Sequence, residues 1–209
     1  MGFLSAEAKG GAKVQKAPAT ADVVRSMLDG CPDTLKDKRD RALLALGFAG
    51  AFRRSELVAL TVADLVEAPD GLLVMVRRSK MDQEGQGQEI ATPPGRKLRP
   101  VAAVQDWLTA ASITEGAVFR RVIKGVIVGA PLSSDGIADI VKQHVTRCGL
   151  DPAVFSGDSL RSGVLTTGAE MGASVFKLME VSRYKSVDTL RGYVRCADLF
   201  KDHARAGFL

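Results

Sequence analysis

The sequence predicts an α+β domain that is mainly helical, with its helices gathered around a small antiparallel sheet. Three observations predict it. Apolar residues recur at helical spacing in successive stretches, each closed by Gly or Pro. One region, residues 71 to 93, changes to a strand-like pattern. And 209 residues, 46% of them hydrophobic and 25% charged, suffice for one good core but are few for two ordinary domains.

Taken in order, residues 1 to 18 are rich in Ala, Gly and Lys, end in Ala17-Pro18 and hold no period. They read as a flexible leader or linker remnant, and residues 19 to 209 as the folded domain with a C-terminal tail. Order is expected from Thr20, which caps a helix over residues 21 to 28 that Cys31-Pro32-Asp33 ends. A second helix over residues 40 to 49 carries Leu43, Leu44, Leu46 and Phe48; it is too apolar all round for a surface helix and belongs in the core, with residues 52 to 57 as its sequel. Leu72-Leu73-Val74-Met75-Val76 is a strand and Glu89-Ile90-Ala91-Thr92 its partner, joined by the polar loop from Asp82 to Gly87. Helical patterns return over residues 101 to 111, 134 to 148, 159 to 171 and 174 to 181, and a final helix starts near Val187.

Charge and cysteine content narrow the function classes. The net charge of +5 is spread along the chain, which suits a folded surface facing a polyanion. Cys31, Cys148 and Cys196 lack metal-ligand spacing, which argues against a disulfide scaffold or a zinc site and for a reducing, cytoplasmic setting. No apolar run nears the roughly 18 residues of a membrane span, and the start lacks the hydrophobic core of a signal peptide, so no membrane partner is expected.

Three spacings carry the chemistry. Phe52-Arg53-Arg54-Ser55-Glu56-Leu57 sets paired arginines beside a buried helix, Asp158-Ser159-Leu160-Arg161 opens another helix, and Tyr184 precedes Tyr193 by nine residues. Singly, each has a plain reading: solvated arginines, a helix cap, half-buried tyrosines. Their order is more specific. Gly50-Ala51-Phe52-Arg53-Arg54-Ser55-Glu56-Leu57, then Ser79-Lys80 in the hairpin, then Phe155-Ser156-Gly157-Asp158-Ser159-Leu160-Arg161, then Ser182-Arg183-Tyr184 through Tyr193, resembles the catalytic domain of the tyrosine recombinase, or phage integrase, family. The likeness runs from about Lys16 to Phe200.

The resemblance implies a domain that acts on double-stranded DNA without metal or nucleotide cofactor. Tyr193 would attack a phosphate and hold the strand as a 3′-phosphotyrosyl ester until a 5′-hydroxyl reverses the step. Arg53 and Arg161 match the arginines that hold the phosphate, a task suited to planar guanidiniums with forked donors. Lys80 matches the hairpin lysine that protonates the leaving 5′-oxygen. Glu56 matches a carboxylate that orients its neighbours, or is simply a helix-surface acid. Arg54, Arg78, Arg183 and Lys185 are expected to contact DNA, Arg54 alternatively to pair with an acid. The tail after Tyr193 would dock onto a neighbouring protomer, or fold back on its own core.

Two positions depart from the family pattern. Asp158 stands where the family has His in His-x-x-Arg, and Tyr184 where it has His or Trp. A phenol still donates a hydrogen bond to phosphate. An ionised carboxylate about 4 Å from the phosphorane would oppose it by about 4 kcal/mol at an effective dielectric near 20, roughly a thousandfold in rate. Asp158 is read as the N-cap of its helix, as an ion-pair partner of Arg161 or as a general base for Tyr193. Three functions follow: a strand transferase, a catalytically impaired DNA-binding regulator of the same fold, or a helical protein-interaction domain.

Overall fold

The long helix α2 (Leu35–Ala49) runs through the middle of the molecule, and Ala42, Leu43, Leu44, Ala45 and Leu46 on it are wholly buried. In this computed structural model, residues 16–77, 87–184, 186–188 and 190 are described. Around α2 pack α1 (Ala21–Asp29), α3 (Arg54–Ala59), α4 (Pro100–Ala110) and α6 (Ser159–Glu170), and α5 (Ser134–Arg147) closes over α1 and α3. Helix α7 (Val175–Ser182) leans on α6 through a smaller apolar cluster of Leu165, Ala169, Leu178 and Leu190.

The expected hairpin forms as β2 (Gly71–Val76) and β3 (Gln88–Thr92), antiparallel, with Val74 opposite Ile90. A short strand β1 (Leu65–Ala68) adds to its edge, giving the order β1-β2-β3. A second hairpin, β4 (Arg120–Ile123) and β5 (Ile127–Pro131), was not foreseen. Its turn places both Lys124 (φ 51°) and Gly125 (φ 80°) in the left-handed region, the backbone twist that tight hairpins need. On α4, Trp107 is fully buried and donates its indole N–H to the carbonyl of Val118 at 2.9 Å.

Several boundaries differ from the expectations, each for a physical reason. Thr20 stands at the N-cap position of α1, but its side chain makes no capping bond; the first helical N–H, of Ala21, goes instead to the hydroxyl of Thr167 on α6. Order begins before Thr20. Ala17 N donates to Val154 O at 2.7 Å, Ala19 N to Ser159 O at 2.8 Å, and Ala19 is wholly buried. Gly163 makes this approach possible, since a β-carbon there would lie 1.7 Å from the Ala19 carbonyl oxygen. The remainder of the expected leader, residues 1 to 15, lies outside the described residues.

Helix α2 begins at Leu35, not at residue 40, because Thr34 Oγ1 accepts from Asp37 N and the charged first turns are paired instead of solvated. Asp37 accepts from Arg147, and the wholly buried Asp40 accepts from Arg39 and Lys36 and pairs with His144 Nε2 at 3.0 Å. Burial opposes the charge on Asp40, but the His144 bond and the two cations outweigh it and hold the carboxyl down at about 2. The Cys31 thiol, 3.7 Å from His144 Nδ1, is pushed up to about 11 by burial and donates to Met27 O. Cys31, Asp37 and His144 thus offer ligand atoms within 4.8 Å of one another, though both Asp37 oxygens are already engaged, by Thr34 and Arg147.

Candidate active site

The site starts at the turn between α2 and α3. Gly50 allows Phe52 to fold back under the turn, where a β-carbon at position 50 would come 2.1 Å from the Phe52 ring. Ala51 follows in the left-handed conformation (φ 46°), which costs a residue other than glycine on the order of 1 kcal/mol. What the turn yields is a pair of carbonyls, those of Gly50 and Ala51, that receive arginines from the far end of the chain.

Arg53 occupies the N-cap of α3, and Glu56 reaches back to it: one carboxylate oxygen accepts the Arg53 backbone N–H at 2.8 Å, the other accepts Arg53 Nη1 at 2.6 Å. Glu56 is 2% exposed, so it is no surface acid, and it also accepts Arg183 Nη2 at 2.6 Å. Arg161, on the first turn of α6, donates Nη1 to Ala51 O at 2.7 Å and Nη2 to Ser182 O. Its guanidinium lies 4.6 Å from the centre of the Tyr184 ring, a cation–π contact, and its Nε has no partner among the described residues.

The electrostatics follow from this crowding. Three guanidiniums, those of Arg53, Arg161 and Arg183, converge on the single carboxylate of Glu56 and the carbonyl of Ala51. Burial, and then the charge of Arg53, lowers the Arg161 pKa; burial also lowers that of Arg183, with Glu56 acting against it. The cluster is short of negative charge, as a site built to receive an anion would be.

Other expected residues stand elsewhere. Asp158 sits at the head of α6, exposed, and does not cap it with its side chain; the local bonds there are made by Ser156 and Ser159 hydroxyls accepting from Asp158 N and Ser156 N. It forms no ion pair with Arg161, whose end nitrogens are taken by carbonyls. Arg54 pairs with Asp135 at 3.6 Å on the surface. Arg183, expected on DNA, is 6% exposed at its side chain and bonds inward. Lys80, Arg78, Lys185 and Tyr193 lie outside the described residues, as does the tail. The base of the hairpin that leads to Lys80 is anchored, because buried Asp64 accepts from Thr61 N and Oγ1 and from Arg77 Nε.

Residues 19–199 match the model of the phage integrase family. The chain belongs to that family. Among sequence relatives, the integrase/recombinase XerD homolog of Selenomonas ruminantium is 39% identical over 175 residues, covering 82% of this chain and 51% of its own length. The tyrosine recombinase XerD of Corynebacterium glutamicum is 31% identical over 176 residues, covering 81% of this chain and 54% of its own length. This integrase-family chain therefore spans about half the length of the relatives it matches. Among solved structures, the XerH site-specific recombinase bound to a palindromic difH substrate, in a post-cleavage complex, superposes with a TM-score of 0.72 at 12% identity, over 92% of this chain and 53% of that one. The Tn1549 transposon integrase in complex with transposon right end DNA gives 0.66 at 17% identity, over 93% of this chain and 66% of that one. These likenesses establish the α+β fold expected from sequence.

Two parts of the site had no sequence signal. The acceptor role of the Ala51 carbonyl depends on a backbone conformation that alanine rarely adopts. The Arg183–Glu56 pair joins residues 127 positions apart, beyond the reach of any local spacing rule. No helix among the described residues is long and apolar enough to cross a membrane.

Proposed function

We propose that this chain is the catalytic portion of a site-specific tyrosine recombinase that binds double-stranded DNA and breaks and rejoins it through Tyr193. The observation that carries the reading is the convergence of Arg53 and Arg161 on Glu56 and Ala51, an arginine cluster with positive charge in excess. In the proposed reaction the Tyr193 oxygen, its proton released to solvent, bonds to phosphorus as the phosphorus–5′-oxygen bond breaks, and the leaving 5′-oxygen takes a proton from Lys80. The guanidiniums offset the charge that gathers on the non-bridging oxygens. Attack by a 5′-hydroxyl on the ester reverses the step. The tail after Tyr193 assembles neighbouring protomers on the DNA, in the cytoplasm.

A second reading has its own support. Arg161 is held by two backbone carbonyls and covered by the Tyr184 ring, and Asp158 brings a carboxylate to the head of α6. These favour a DNA-binding member of the family with slowed chemistry.

One experiment separates the readings. Duplexes enriched by the full chain from a randomised pool are nicked near the centre and incubated with it, and denaturing gels are read for a covalent adduct. The first reading expects an adduct that Tyr193→Phe abolishes while salt-dependent binding persists. Binding without any adduct supports the second reading, and absence of DNA binding at low salt overturns both.

A further inference from the structure

We infer that Arg183 is a positioning residue, which sets Arg53 and Arg161 for phosphate from the opposite end of the chain; the inference rests on the recombinase reading of the site. Arg183 closes α7 in the left-handed conformation (φ 59°), its N–H returned to Met179 O at 2.7 Å. That turn aims the side chain back into the molecule. There Nη2 meets Glu56 at 2.6 Å and Ala51 O at 3.1 Å, while Nη1 meets Gly50 O at 2.8 Å, and the guanidinium lies 5.5 Å from the Phe52 ring centre.

Two of these three acceptors, Glu56 and Ala51 O, also belong to a phosphate-binding candidate. Glu56 holds both the backbone and the guanidinium of Arg53, and Ala51 O holds Arg161 Nη1. The adjoining residue, Ser182, supplies the other carbonyl on Arg161. One planar fork therefore fixes the α2–α3 turn, the carboxylate on α3 and the start of the segment that leads to Tyr193. Lysine carries the same charge but is a point donor on a flexible stem, unable to bridge these acceptors at once. Arg183 does not touch the substrate itself, because its donors all face inward.

The test uses Arg183→Lys in the full chain, with Arg183→Met as a second variant. Three quantities are read: binding to the enriched duplex, the single-turnover rate of adduct formation on its nicked form, and the side-chain ¹⁵N signals of Arg53 and Arg161, with those of the distant Arg39 as control. Arg183→Lys is expected to bind DNA within about threefold of the parent, to form adduct at least about tenfold more slowly, and to shift or broaden the Arg53 and Arg161 signals while Arg39 stays put. Unchanged Arg53 and Arg161 signals in both variants overturn the inference, as does an unchanged adduct rate. A parent chain that binds DNA and forms no adduct speaks against the recombinase reading alone, and the ¹⁵N signals then decide the positioning role by themselves.

Discussion

Replacing Glu56 by Gln tests the idea that one carboxylate organises the arginine cluster. The native side chain accepts three hydrogen bonds, from Arg53 Nη1 at one oxygen and from Arg53 N and Arg183 Nη2 at the other. An amide keeps only one acceptor oxygen. If that oxygen takes the shared position, its NH₂ group faces Arg53 Nη1 across 2.6 Å, donor against donor. At least one charge-assisted bond is lost, about 1.5–3 kcal/mol, and the buried guanidiniums lose their counter-charge, which brings the expected loss of stability to about 3–5 kcal/mol. Urea unfolding followed by the fluorescence of Trp107, the single and fully buried tryptophan, measures it. Because the substitution also makes the site more positive, affinity for non-specific duplex is expected to hold or rise slightly at low salt. A stability loss under about 1 kcal/mol would refute the view that Glu56 holds these arginines together.

Further expectations concern other parts of the molecule. Asp40 is held at about 2 against an ordinary 3.8, so its contribution, roughly 2 kcal/mol, is complete above the ordinary value and is lost as pH falls from about 4 to 2. Asp40→Asn is expected to lower stability at neutral pH and to flatten that acid limb; equal acid slopes in the two proteins would contradict the assignment. Gly163→Ala drives a methyl group into the Ala19 carbonyl and is expected to cost at least about 2 kcal/mol, with Ala19 N–H losing its protection from hydrogen exchange; a protected Ala19 in the variant would count against this packing. If Asp158 and Tyr184 restrain the chemistry, Asp158→His with Tyr184→His raises the rate of adduct formation at least about tenfold, and an unchanged rate clears both residues.

The sequence was most legible where a single physical rule decided the outcome. The all-round apolar character of residues 43 to 48 placed α2 in the core, and the short apolar run of residues 72 to 76 placed β2, because burial alone fixes both. Residues 35 to 39 of α2 were missed because Lys36, Asp37, Lys38 and Arg39 look solvated in sequence, whereas in the fold Arg147 pairs with Asp37, and Asp40 is bonded by Lys36, Arg39 and His144. The same limit applied at the site. Arg53, Glu56 and Arg161 stood out by spacing, but that Arg183 turns inward depends on a left-handed α7 cap and on acceptors more than a hundred residues away. Asp158 looked like a cap by residue type, but its side chain makes no capping bond, and the serine hydroxyls beside it accept from backbone N–H groups ahead of the helix.

The Ala51 carbonyl has a further meaning for a chain made from its N-terminus onward. Its partners, Arg161 and Arg183, leave the ribosome more than a hundred residues after it. A nascent or truncated chain ending before α6 contains Arg53 and Glu56 yet lacks both far guanidiniums, and one ending before α7 still lacks that of Arg183. The arginine centre is therefore complete only in molecules whose α6 and α7 have been made and docked.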